Sequence, residues 1–74
     1  MVYIVRAYVF GCDAELEIYR TEKEAFARAY ALHAAYDRQG YEWQECWTSD
    51  GYEIWYFDEE DDDSINISVV PIDL

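Results

Sequence analysis

The chain predicts a single α+β domain over residues 1–74, with one helix packed on one face of a mainly antiparallel sheet. Three observations carry that expectation. An alanine-rich segment with helical spacing sits between two pairs of strand-like segments. The strand-like segments are joined by short turn-forming stretches, which favour hairpins over crossovers. The composition is 53% hydrophobic and 19% aromatic, too apolar for a disordered acidic chain despite a formal net charge of −12. A 74-residue chain buries a small core, so the 8 Tyr, 3 Trp and 3 Phe must do much of the packing.

Val2 to Phe10 reads as a strand rich in Val, Tyr and Ile. Both of its faces are apolar apart from Arg6, which predicts a central position in the sheet. Gly11-Cys12-Asp13 is turn material, and Ala14 to Arg20 alternates as a half-exposed strand, so the first two strands form a hairpin. Thr21 and Glu24 stand at capping-box spacing at the start of a helix over 22–39. Phe26, Ala29, Tyr30, His33 and Tyr36 share one stripe of that helix. Phe26, Tyr30 and Tyr36 are expected against the sheet near Val5, Trp47 and Ile54, and Gly40 is placed as the residue after the cap. Tyr41 to Thr48 and Tyr52 to Asp58 read as two strands joined at Asp50-Gly51, with Trp47 facing Ile54 and Cys46 facing Trp55. Tyr41, Trp43, Trp47, Tyr52, Ile54 and Tyr56 make the better core face. Cys46, Trp55 and Phe57 share the other with Glu42, Gln44, Thr48 and Glu53. Asp58 to Asp63 is six acids in a row, expected as an extended, mobile loop. Ile65, Ile67 and Val69 alternate in a last strand that Pro71 closes. The order is β-β-α-β-β-β. Ala14–Arg20 and Ile65–Val70 are expected as open edges, which permits a homodimer by strand pairing.

Charge is segregated along the chain. Residues 1–40 hold all five bases (Arg6, Arg20, Lys23, Arg28, Arg38) and six acids, a balance of −1. Residues 41–74 hold eleven acids and no base, a balance of −11. Such asymmetry speaks to partners rather than to fold. Direct binding of nucleic acid is disfavoured, because stacking platforms work with a positive groove. No run of 18 apolar residues suggests a membrane span, and the start of the chain lacks the basic region and small-residue cleavage site of a signal peptide. The expectation is therefore a cytoplasmic protein in which Cys12 and Cys46 fit as free thiols, with a single disulfide between them as the alternative.

Catalytic constellations are absent from the pattern. His33 is the sole histidine and reads as a packed side chain on the helix stripe. Cys12 and Cys46 are too scattered to argue a metal site or a nucleophile-base pair. An EF-hand loop started at Asp58 would need Gly at its sixth position and Glu at its twelfth, where the chain has Asp63 and Val69. The expectation is no enzyme activity, no cofactor and no metal ligand; loose divalent binding by the acid run is a third reading. The partner-binding residues singled out are Glu42, Glu53, Trp55, Phe57, Asp58, Glu59, Glu60, Asp61, Asp62 and Asp63. Aromatic rings give rigid contact area and carboxylates accept from Arg and Lys, which together suit a basic protein surface.

In size, charge and compactness the chain resembles small acidic inhibitors encoded by phages and mobile elements, of the anti-CRISPR and anti-restriction DNA-mimic type. The resemblance rests on the acid-only second half, the Asp58–Asp63 run and the Tyr- and Trp-rich strands. It implies a viral, non-enzymatic inhibitor that blocks a nucleic-acid-binding effector of host defence in the host cytoplasm, CRISPR-Cas before a restriction enzyme. Such a DNA mimic would set carboxylates where phosphates would stand. The alternative is an acidic protein–protein interaction module, such as a subunit, an antitoxin or a phage accessory protein, whose charge serves solubility.

Overall fold

A computed structural model of the chain describes residues 1–48, 51–58 and 63–73, with the side chains of Asp58 and Asp63 outside the description. Five strands and one helix follow one another as β1 (Val2–Val9), β2 (Cys12–Tyr19), α1 (Glu22–Tyr36), β3 (Gln44–Thr48), β4 (Gly51–Asp58) and β5 (Asp63–Ile72). The strands form one antiparallel sheet in the order β2-β1-β5-β4-β3. This is the α+β domain that the sequence predicts, and β1 is central as expected. The sheet order corrects one expectation. The edges are β2 and β3, whereas Ile65–Val70 lies in β5, between β1 and β4. Only one of the two segments expected to be open for strand pairing is an edge.

The β1–β2 turn falls on Phe10 and Gly11, one residue earlier than the sequence suggests. Val9 pairs with Cys12, and Phe10 and Gly11 both have positive φ, at 51° and 84°. Positive φ at both central residues matches the right-handed twist of a two-residue hairpin. A bulge follows: Ala7 pairs with Glu15 but Tyr8 with Asp13, which leaves Ala14 as the extra residue. The bulge brings Asp13 to the side of the sheet that carries Arg6, where Arg6 Nη2 lies 2.9 Å from Asp13 Oδ1.

Helix α1 starts as its cap predicts. The Glu24 N–H donates to Thr21 Oγ1 at 3.2 Å, and the Thr21 hydroxyl donates to the Glu24 carboxylate at 2.9 Å. Its end departs from expectation. The helix stops at Tyr36, Asp37 caps it in an extended conformation, and Gly40 lies beyond it. Asp is a poor helix former. Here its backbone N–H reaches the His33 carbonyl at 2.9 Å, and its carboxylate accepts from Trp43 Nε1 at 2.7 Å. Those bonds turn the chain toward β3 before the helix can reach Gly40.

The core lies between α1 and one sheet face: Val5 and Ala7 of β1, Ile65, Ile67 and Val69 of β5, Tyr52 and Ile54 of β4, and Ala25, Ala29 and Leu32 of the helix. The helix therefore sits on its small residues. The expected stripe is rotated: Tyr30 is 53% exposed and Trp47 64% exposed, while Phe26 and Tyr36 are half-buried at the flanks. Alanines let the helix approach the sheet closely, and large rings cannot occupy the line of closest approach. They pack beside it instead. Phe26 stacks on Trp47 with ring centroids 5.3 Å apart and tilts against Tyr52 at 5.3 Å. Full burial of a Phe side chain would make its removal cost 3–5 kcal/mol. Half-burial reduces the expectation for Phe26→Ala to about 2 kcal/mol, read from denaturant midpoints. A loss above about 4 kcal/mol would mean that Phe26, not the alanine line, seats the helix.

The β3–β4 register differs from the expected one by two residues. Trp47 pairs with Tyr52 and Cys46 with Glu53, because Thr48 pairs with Gly51 itself. A slip of two preserves the faces, so Tyr52 and Ile54 point to the core and Glu53, Trp55 and Phe57 away from it. Tyr41 to Trp43 is irregular, and β3 begins only at Gln44. Gly51 has φ 135°, and a Cβ there would lie 2.1 Å from the Val69 carbonyl oxygen. The glycine serves the approach of β4 to β5.

Candidate functional site

The sheet face away from the helix carries the expected aromatic-acid surface. Ladder pairing sets its layout, since directly opposed residues point to the same side. One row across the sheet reads Leu16, Arg6, Ser68, Glu53, Cys46. On one side of it lie aliphatic residues, Ile18, Ile4 and Val70 in register, then Val2 opposite Ile72. Leu16 and Ile18 are 68% and 67% exposed there. On the other side Tyr8, Asn66, Trp55 and Gln44 make a row, with Phe57 opposite Ser64 beyond it.

That second side is concave. Tyr8, Glu53, Trp55, Phe57, Ser64 and Asn66 line a shallow cleft of about 470 Å³. The Asn66 side-chain amide donates to Glu53 Oε1, which fixes the carboxylate against the sheet. The Tyr8 hydroxyl donates to the Gly11 carbonyl at 2.9 Å, which holds that ring at the cleft wall. Glu53, Trp55 and Phe57 are thus brought together, and they gain Tyr8, Asn66 and Ser64, which the sequence reading left out. Only the parity of Tyr8 in its strand hinted at it; its nearness to Trp55 depends on β5 lying between them.

Glu42 does not join them: it is exposed in the connection before β3, outside the ladder. Asp58 and Asp63 pair across the ends of β4 and β5, so the acid run joins two of the three strands that carry the cleft. The expectation of an extended loop falls on Glu59, Glu60, Asp61 and Asp62, outside the described residues.

Several of the described acids elsewhere are engaged by partners of their own. Arg28 reaches Glu17 at 3.2 Å and Glu15 at 3.7 Å on the helix side of β2. Glu17 also accepts the Tyr19 hydroxyl; that bond, then desolvation, holds the Tyr19 phenol above its ordinary pKa. Glu45 accepts the Tyr52 hydroxyl at 2.8 Å. Both cysteines are free, Cys12 exposed and Cys46 half-buried. The described residues contain no cluster of His, Cys, Asp and Glu suited to hold a metal ion. His33 packs edge-on to Trp43 at 4.6 Å, and its buried Nε2 has no hydrogen-bond partner. A second cleft of about 260 Å³ lies where α1 starts, walled by Met1, Tyr3, Phe26, Trp47 and Pro71. Among the described residues no helix is long and apolar enough to cross a membrane.

Tyr52 supplies a pH prediction. It is 2% exposed, and burial first, then its bond to Glu45, raises its phenol above the ordinary value. In the unfolded chain the phenol ionises near pH 10, and in the folded protein only above that. The folded state therefore holds the proton that the unfolded state releases. This stability is complete below about pH 10 and is lost as pH rises beyond it. Tyr52→Phe should cost about 1 kcal/mol at neutral pH through the lost hydrogen bond. Its melting temperature should then fall less steeply than the parent's from pH 9 to 11. Parallel curves would remove Tyr52 from the alkaline transition.

Comparison with protein-family models, with curated proteins and with solved structures finds no match to this chain.

Proposed function

We propose that this protein is a non-enzymatic inhibitor. It docks on a basic, nucleic-acid-binding surface of a host defence effector and keeps nucleic acid out, with a CRISPR-Cas effector as first choice of target. One observation supports the reading above the others: Trp55, Phe57 and Glu53 of the cleft stand on β4, and Ser64 and Asn66 on β5, the two strands that the Asp58–Asp63 run joins, while Tyr8 of β1 closes the far wall. The aromatic contact area is therefore next along the chain to the most concentrated negative charge. Residues 41–74, which supply most of it, hold no base to compete for the acids.

Two physical roles follow. The acid run attracts a basic partner from a distance and raises the encounter rate. The aromatic cleft then excludes water and holds the complex. The described acids of β2 are already paired, Glu15 and Glu17 with Arg28 and Asp13 with Arg6, and contribute less to steering. In this reading the charge acts through one concentrated run, while the described carboxylates elsewhere make no continuous ladder in place of phosphates.

Immobilised protein should retain from the host cell a protein that by itself binds DNA or RNA, and rising salt should release it. Retention of a partner with no affinity for nucleic acid would favour the acidic interaction module instead.

A further inference from the structure

We infer that the cleft on the open sheet face is an acceptor for an arginine side chain of the partner, and that it prefers arginine to lysine. The inference rests on the docking function proposed above and names the group that the cleft takes. Three observations carry it. The walls are aromatic: Tyr8 is 38% and Phe57 54% exposed, and Trp55 is half-buried between them and Glu53 in the lining. Aromatic faces attract cations, and the planar guanidinium stacks on them. Glu53, the carboxylate among the described lining residues, is held in place, because Asn66 donates to Glu53 Oε1. The donation leaves Glu53 Oε2 and Asn66 Oδ1 as neighbouring acceptors, a pair that suits the forked donors of a guanidinium.

The third observation is the charge around the site. The nearest base across the sheet is Arg6, two strands from Glu53 with Ser68 between them, and its guanidinium is taken by Asp13. Strand spacing puts that row separation at about 10 Å. A cation entering the cleft therefore meets an unneutralised carboxylate. Lysine fits less well, since its compact ammonium is strongly hydrated and gains little from a shallow aromatic wall.

The test titrates the full chain, labelled with ¹⁵N, with N-acetyl-arginine amide and separately with N-acetyl-lysine amide. Amide and indole shifts are followed at Tyr8, Trp55, Phe57 and Asn66. The arginine compound should shift these signals and bind several-fold more tightly than the lysine compound. E53Q keeps an oxygen for Asn66 but removes the charge. It should weaken arginine about tenfold, as expected for loss of one hydrogen bond to a charged group. Tyr8→Leu removes one wall and leaves the carboxylate, and it should narrow the gap between arginine and lysine. The spectra themselves report whether each variant is folded. Equal binding of the two compounds, or E53Q binding arginine like the parent, would overturn the inference. Either result, with salt-sensitive partner binding intact, would leave the docking function standing. Loss of competition between partner and nucleic acid would overturn that function whatever the titration shows.

Discussion

Gly51→Ala should be the most damaging single change in the described part of the chain. Its backbone sits at φ 135°, and an added Cβ would lie 2.1 Å from the Val69 carbonyl oxygen and 3.0 Å from Pro71 Cδ. The first contact is with backbone in the central strand β5, so no side chain can move aside to relieve it. Strain at a glycine-only conformation together with a backbone clash should cost about 3 kcal/mol or more. A domain of this size holds about 4–11 kcal/mol in all, so the variant would lose a large share of its stability. The melting temperature should fall by roughly 12 °C or more at about 4–8 °C per kcal/mol. Gly40→Ala makes the control. Gly40 also has positive φ, at 91°, but a Cβ there meets nothing within 4 Å, so only the conformational cost of about 1–2 kcal/mol applies. Equal losses at the two positions would mean that the close approach of β4 to β5 at Val69 is not what selects glycine.

The second large effect concerns partner binding. Replacing Asp61, Asp62 and Asp63 together by Asn removes three of the eleven acids of residues 41–74. Association should slow about tenfold while dissociation changes little, because exposed charges act on encounter rather than on the formed complex. Trp55→Ala should do the opposite. A ring buried at an interface commonly contributes 2 kcal/mol or more, so the off-rate should rise about thirtyfold with the on-rate nearly unchanged. Surface plasmon resonance on a captured partner separates the two rates. Trp55 is half-buried in the free protein, so the melting curve of the variant must be compared with the parent's first. If the triple variant changed only the off-rate, the acid run would be a contact surface and not a steering device.

Much of the fold was legible because local chemistry dictated it. Alternation in β2, β4 and β5, the Thr21 cap and the alanine-rich helix all follow from spacing within a few residues. The two faces of β4 are legible for the same reason, with Tyr52 and Ile54 on the better core face and Trp55 and Phe57 on the other. Sheet order was not. In a sheet with one helix layer every strand shows one face to solvent, so Ile65, Ile67 and Val69 alternate with Asn66 and Ser68 whether β5 is an edge or the centre. The helix rotation is hidden for a different reason: large apolar side chains point to a buried stripe through Phe26, Tyr30 and Tyr36, whereas Ala25 and Ala29 are buried because they are small. Tyr8 and Asn66 were missed as cleft residues because they meet Trp55 only through pairings between strands distant in sequence.

The central claim is that one acidic, aromatic surface occupies the place of nucleic acid on a basic partner. Competition tests it most directly. The captured partner is held at fixed concentration with labelled protein, and unlabelled duplex DNA or RNA is added at several salt concentrations. Screening confines exposed charges to about 8 Å at physiological ionic strength and to about 3 Å at 1 M. Nucleic acid should displace the protein completely, and the affinity of the protein should fall steeply as salt rises. A complex of equal strength at low and high salt, which nucleic acid does not displace, would contradict the account and leave the net charge of −12 as a matter of solubility.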